Sequence, residues 1–216
     1  LNSIQWMAQM SHQREISEFV QRLKKLLSYN LGKEGRQTTL RMELEIVKEY
    51  IALQQMRYDF IIEMNIEDGS YLDQPTVRML FQPLVENAIR YGLGDDEKIS
   101  IQVFEDVARH LAVVTISDSG KGLNQEEIDE INQPFDYDWG YWKNENRGIG
   151  LRYVKAMLES FYDGQTSLFV NSKKGFGTRI TILLPVRKPE EKKEKDKEVT
   201  LEENKVGQTD ESIDCR

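Results

Sequence analysis

The chain has 216 residues, a formal net charge of −8, 31% charged and 39% hydrophobic residues, and one cysteine. The acidic balance excludes a general nucleic-acid binder, which needs a basic face to displace counterions, and the lone Cys215 excludes an internal disulfide framework or cysteine-rich zinc site and fits a reducing compartment. No apolar run approaches the roughly 20 residues that span a bilayer, and the chain opens at Leu1 without a signal peptide, so it reads as a piece of a longer protein.

Residues 1–30 predict one amphipathic helix, because Ile16, Phe19, Val20, Leu23, Leu26 and Leu27 recur at three- and four-residue steps. Asn30 to Gln37 holds two glycines and reads as a connector. A second helix is expected from about Leu40 to Tyr58, capped by Thr39, with Glu43 and Glu45 suited to its positive end. Leu40, Leu44, Val47 and Ile51 form its apolar stripe. A helical hairpin over residues 1–58 cannot hide both stripes alone, so the helices either pack on the domain that follows or, as is favoured here, form a four-helix homodimer of two copies.

Phe60 to Ile66 reads as a strand and Asp68-Gly69 as a turn. Asp73 is expected to cap a helix over 75–91 with Pro75 in its first turn, ended by Gly92 and Gly94. Ile99–Phe104 and Leu111–Ser117 are β-rich runs that read as a hairpin through Asp106–His110. A short helix is expected over Gln125–Asn132. Gln133–Arg147 has no periodicity and is rich in Asp, Asn and aromatics. Ile149–Phe161 reads as a helix, and Ser167–Asn171 with Arg179–Val186 as a final hairpin about Lys173–Gly177. Residues 188–216 are dominated by Lys and Glu and are expected to be disordered.

Four short segments carry the chemistry. At about 100° per residue, Val77, Leu80, Phe81, Leu84, Val85 and Ala88 share one face of the helix expected over 75–91. Asn87 lies at the edge of that face with Arg90 and Tyr91 on its flank. An amide oxygen is a hard, neutral ligand for Mg²⁺, and an Arg neutralises phosphate. Pro83 would stand inside this helix, where proline costs about 3 kcal/mol. Asp118 ends the apolar strand Val113-Val114-Thr115-Ile116, and a carboxylate there needs a donor such as the exocyclic amine of adenine. Gly120 and Gly122 leave room for a flat ring. Gly148-Ile149-Gly150-Leu151 opens a helix, whose amides bind anions, and Gly175-Phe176-Gly177-Thr178 sits in a hairpin. Singly these segments are equally ordinary turns and caps. Together, in this order, they describe a pocket for ATP and Mg²⁺.

The series resembles the conserved boxes of the GHKL, or Bergerat-fold, ATPases over about residues 1–186. Gln82-Pro83-Leu84-Val85-Glu86-Asn87-Ala88-Ile89 is similar to the LytS/YehU/YesM group of sensor histidine kinases, and Leu1-Asn2-Ser3-Ile4-Gln5-Trp6-Met7-Ala8 to the stretch that follows the phosphoacceptor histidine in YesM-like members. The resemblance implies an α+β fold: a Bergerat-type α/β sandwich, with a mixed sheet covered on one face by helices, preceded by the helical hairpin. It implies an ATP-binding catalytic domain over 59–187. It places Asn87 on Mg²⁺, Arg90 on phosphates and Tyr91 along the nucleotide. Asp118 would take the adenine amine beside Gly120, Gly122 and Leu123. Gln133–Arg147 would be an ATP lid anchored by Pro134-Phe135. Arg147, Gly148, Ile149, Gly150 and Leu151 would line the phosphate end, and Thr178 would lie near adenine. The implied partners are a second copy and a response regulator, in the cytoplasmic portion of a membrane-anchored bacterial sensor.

Two departures shape the expected mechanism. The Glu that activates water one turn before the metal-binding Asn in ATP-hydrolysing relatives is replaced by Gln82 and Pro83. Glu86 is a catalytic candidate beside Asn87 and Arg90, yet it points some 100° from Asn87 around the helix. Its absence from the water-activating position suits phosphoryl transfer to a histidine. The only histidines, His12 and His110, lie outside the acceptor motif, so the acceptor is expected upstream of Leu1, and this chain is expected not to autophosphorylate. Competing readings are another GHKL ATPase or a dimerising module with a degenerate pocket.

Overall fold

The computed structural model describes residues 1–32, 37–93, 98–132 and 149–186. The expected lid at 133–147, the turn residue Gly94, and the charged tail lie outside these residues. Three helices come first: α1 (Asn2–Met10), α2 (Arg14–Asn30) and α3 (Leu40–Gln55), with the two-residue strand β1 (Thr38–Thr39) before α3. The sheet domain follows as β2 (Ile61–Ile66), a 3-10 turn (Ser70–Asp73), β3 (Pro75–Thr76), α4 (Gln82–Tyr91), β4 (Lys98–Asp106), β5 (Leu111–Asp118), α5 (Gln125–Asn132), α6 (Ile149–Phe161), β6 (Ser167–Ser172) and β7 (Thr178–Pro185).

The first 30 residues form two helices where the apolar period predicts one. The chain stops at Ser11–Gln13, where His12 takes φ 55°. The His12 amide bonds Gln9 O at 3.1 Å and the Gln13 amide bonds Ala8 O at 2.8 Å, a Schellman stop. A histidine supplies the left-handed residue usually given by glycine, so no glycine signals the break. Gly32 ends α2 in the same conformation, at φ 68°. Thr39 caps α3 as expected, its hydroxyl accepting the Met42 amide at 3.3 Å.

Leu26, Tyr29, Ile46 and Leu53 form the buried seam between α2 and α3, with Leu23, Met42 and Tyr50 packed against it. Leu40, Leu44, Val47 and Ile51 are buried within the single chain, so the α3 stripe needs no second copy. Trp6, Met10, Ile16 and Phe19 are exposed.

The helix expected over 75–91 begins only at Gln82. Pro75 and Thr76 instead pair with Thr39 and Thr38. Asp73 does not cap it; it ends the 3-10 turn and accepts Arg41 Nε at 2.7 Å. Pro83 therefore stands in the first turn, where its missing N–H costs no hydrogen bond. The interior penalty expected for Pro83 does not arise.

The five-stranded sheet has the order β2-β4-β5-β7-β6, with β2 parallel to β4 and the other pairs antiparallel. Burial alternates along β4: Ile99, Ile101 and Val103 are buried, Lys98, Gln102 and Phe104 exposed. Leu84 and Val85 of α4, Val154 and Leu158 of α6, Val114 of β5 and Ile182 of β7 are buried. This mixed sheet with packed helices has the expected fold class.

Candidate functional site

The site forms where β5 and β7 end together. Their antiparallel register sets Asp118 opposite Thr178 and Ile116 opposite Ile180. The strand period of two turns all four to one side. They line a cavity of about 120 Å³ closed by Asn87 and Tyr91 of α4, Ile131 of α5 and Leu151 of α6. Ligand clefts usually measure about 300–1,000 Å³, so this enclosed part fits one ring system and leaves the rest of a ligand at its mouth.

Asp118 is held by the backbone. Its Oδ1 accepts the Gly120 amide at 3.1 Å and the Thr178 amide at 3.1 Å, leaving Oδ2 for a donor in the cavity. Burial raises its carboxyl above the ordinary aspartate value, and those two amides oppose the rise. The Thr178 hydroxyl pairs with Ser172 Oγ at 2.9 Å, and Ser172 Oγ accepts the Leu123 amide at 2.8 Å. Leu123 and Thr178 are thereby tied to one side of the cavity.

The glycines of this motif are also required by the protein's own backbone. A Cβ on Gly120 would lie 2.4 Å from Gly92 Cα, and one on Gly92 would lie 2.4 Å from Asp118 Cγ. Gly122 has φ 64°, and a Cβ there would meet Lys173 O at 2.1 Å. Gly92, read from the sequence as a helix stop, is thus what lets the end of α4 press on the carboxylate.

The structure brings Asn87, Tyr91, Asp118, Gly122, Leu123, Leu151 and Thr178 together around the cavity. Gly150 joins them from behind: a Cβ on it would lie 3.5 Å from Asn87 Nδ2, so the first turn of α6 faces the amide. Glu86 and Arg90 pair with each other at 2.9 Å on the outer side of α4 and are not among the cavity's lining residues. Ile149 opens α6. Arg147 and Gly148 lie outside the described residues.

Sequence reasoning missed Ile116 and Ile180, although both sit two residues from a predicted site residue and strand alternation finds them. It also missed Lys121, Glu127, Glu130, Ile131 and Arg152 in the lining. Lys121 Nζ stands 5.1 Å over the Tyr91 ring; its place between Gly120 and Gly122 was the available signal. Among the described residues no group of three or more His, Cys, Asp or Glu is placed to hold a metal. A cation here would take few protein ligands, as Mg²⁺ does when phosphates and water supply the rest. A larger groove of about 1,090 Å³ runs along α1 and α2. Within it Arg22 and Lys25 pair with Glu49 at 2.6 and 2.8 Å, and it shares no residue with the Asp118 cavity.

Residues 72–188 match the family described as histidine kinase-, DNA gyrase B-, and HSP90-like ATPase, and residues 1–61 match the histidine kinase family. The sensor protein kinase HptS of Staphylococcus aureus is 30% identical over 168 residues, covering 77% of this chain and 32% of that protein. The chain thus spans about a third of the curated relatives it matches. The solved structure of the Acinetobacter baumannii histidine kinase AdeS shares the fold, with a TM-score of 0.50, 16% identity, and coverage of 85% of this chain and 84% of that one.

Proposed function

The chain belongs to the histidine kinase-, DNA gyrase B-, and HSP90-like ATPase family, and on that premise we propose that it is the ATP-binding catalytic part of a two-component sensor histidine kinase of the LytS/YehU/YesM group. The phosphoryl group passes to a histidine upstream of Leu1 and then to a response regulator. The observation that carries the nucleotide reading is Asp118. One of its oxygens is fixed by two backbone amides and the other is available to a cavity sized for a single ring.

The residues fit Mg-ATP. Asp118 accepts the exocyclic amine of the base, and Ile116, Ile180 and Leu151 cover its faces. Asn87, beside the first turn of α6, offers its amide oxygen to Mg²⁺, and the helix-start residues Ile149, Gly150 and Leu151 present backbone to the phosphates. Tyr91 and Lys121 edge the opening. Mg²⁺ supplies charge neutralisation on the phosphates. Glu86 is held by Arg90 away from the cavity, which supports transfer to a protein acceptor over hydrolysis and moves both residues out of direct contact in the described conformation. His12 sits in a helix stop and His110 in the β4–β5 turn, neither beside the cavity.

The domain reading follows: 1–58 is the remainder of a dimerisation region, 59–187 the catalytic domain and 188–216 a charged tail. Exposed Trp6, Met10, Ile16 and Phe19 support a homodimer through α1 and α2. Among the described residues no helix is long and apolar enough to cross a membrane; the membrane anchor belongs to the longer parent, whose cytoplasmic portion this is. Titration calorimetry tests the pocket. Mg-ATP is expected to bind and Mg-GTP not, because guanine presents a carbonyl where adenine presents its amine. Asn87→Ala should weaken binding only when Mg²⁺ is present. Equal binding of both nucleotides refutes the assignment of Asp118.

A further inference from the structure

Glu43 is a carboxylate with 1% exposure on a helix that contributes nothing to the cavity. From the sequence it suits the positive end of its own helix, α3. The structure gives it to another. Its Oε1 accepts the Met79 amide at 2.8 Å and the phenol of Tyr29, and its Oε2 accepts the Leu80 amide at 2.7 Å. Met79 and Leu80 immediately precede Phe81, the N-cap of α4, which makes no side-chain cap of its own. Helix starts leave amides without partners and favour negative charge. Glu43, 36 residues away, takes up the two loop amides immediately before that start and lays its carboxyl beside the N-terminal end of α4.

The neighbouring residue does the converse. Arg78 Nη1 donates to the carbonyl of Tyr29 at 2.6 Å, in the last turn of α2, with its guanidinium 4.4 Å over the Tyr29 ring. Tyr29 is fully buried and also pairs with the Thr38 hydroxyl. Residues 78–80 therefore connect the end of α2, the start of α4 and the side of α3. Met79 adopts φ 60° there, a conformation a methionine holds only when its surroundings impose it. Burial pushes the Glu43 carboxyl up, and hydrogen bonds from Tyr29 and the backbone amides hold it down.

The start of α4 is also the part that meets α6: a Cβ on Gly150 would lie 3.6 Å from Pro83 Cβ and 3.5 Å from Asn87 Nδ2. We infer that Glu43 is a positioning residue for the nucleotide site, a cap supplied by the helical hairpin that holds the first turns of α4 and thereby sets Asn87 against α6. The inference rests on the nucleotide reading above. It makes affinity at the cavity depend on how the hairpin is seated.

The test is Glu43→Gln in the full chain, which keeps the side-chain volume but leaves its amide nitrogen unable to accept the Leu80 amide. Expected are a loss of Mg-ATP affinity of about five- to tenfold, the equilibrium equivalent of one helix cap, and faster amide exchange over Leu84–Ala88. Leu184→Ala is the control. It removes a buried side chain at the end of β7 remote from Thr178, and is expected to lower Tm while leaving affinity and α4 exchange unchanged. If Glu43→Gln does not fold, Tyr29→Phe removes one donor to Glu43 and should show the same two changes, smaller. Parent-like exchange in α4, or an affinity no lower than that of the control, overturns the inference. No Mg-ATP binding by the parent chain overturns the nucleotide reading instead, and the exchange measurement still judges the cap.

Discussion

Gly92→Ala is expected to disable the site by moving one carboxylate. The backbone there has φ −102°, so alanine is not strained and the effect is purely steric. Its Cβ would lie 2.4 Å from Asp118 Cγ and 2.6 Å from Asp118 Cβ and Ala88 O. Carbon atoms rest about 3.5–4.0 Å apart, so the Asp118 side chain must retreat by roughly 1 Å. Its two amide bonds are already 3.1 Å long, near the upper end of the usual range, and a retreat of that size breaks at least one. Overpacking costs about 1–3 kcal/mol and a hydrogen bond to a charged group about 1.5–3 kcal/mol. A loss of about 2.5–6 kcal/mol of stability is expected, with Mg-ATP affinity falling roughly 10- to 100-fold. Calorimetry with nucleotide and by thermal scan reads both. Gly150→Ala is the counterpart: its Cβ meets Asn87 Nδ2 at 3.5 Å and Pro83 Cβ at 3.6 Å, ordinary contacts, inside a helix where alanine is favoured by about 1 kcal/mol. It should hold or raise Tm. Undiminished binding by Gly92→Ala, or greater destabilisation by Gly150→Ala than by Gly92→Ala, refutes the packing argument.

Asp118→Asn should abolish nucleotide binding yet raise Tm at neutral pH. A carboxyl raised by folding favours the native state when protonated, and that advantage is lost as pH climbs from the ordinary value of 3.8 through the raised one. The gain of the variant over the parent should therefore shrink toward pH 4, and a gain that grows with acidity contradicts the burial account. Thr39→Ala removes the acceptor of the Met42 amide and should cost about 1 kcal/mol, a Tm loss of roughly 2–4 °C; an unchanged Tm means the cap is not needed. Pro83→Ala should alter stability by less than about 1 kcal/mol in denaturant unfolding. A gain near 3 kcal/mol would instead place the proline inside a helix.

The strands and the β4–β5 and β6–β7 hairpins were legible because β4 and β7 alternate buried with less buried residues and β5 is an almost unbroken apolar run, whereas the β5–β7 register that sets Asp118 opposite Thr178 depends on distant segments meeting. The start of α4 was not. Val77, Leu80 and Phe81 are all buried, so they satisfied a helical face while lying in non-helical chain, and the pairing of Thr38–Thr39 with Pro75–Thr76 depends on distant segments meeting. The break at His12 lacked a glycine to announce it. Gly92 was recognised as a stop but not as the contact of Asp118, because a steric vacancy is defined by what approaches it. Glu43 read as a charge suited to the start of its own helix because its hydrogen-bond donors lie on a loop far along the chain.

The pairing of Asp118 with Thr178 ties ligand selection to fidelity of folding. A slip of β7 by one residue would bring Arg179 or Gly177 opposite Asp118 and turn Ile180 to the wrong side. Such a chain would be blind to the nucleotide. The proposed ligand therefore acts as a proofreader, drawing newly folding molecules by mass action toward the single alignment it can bind.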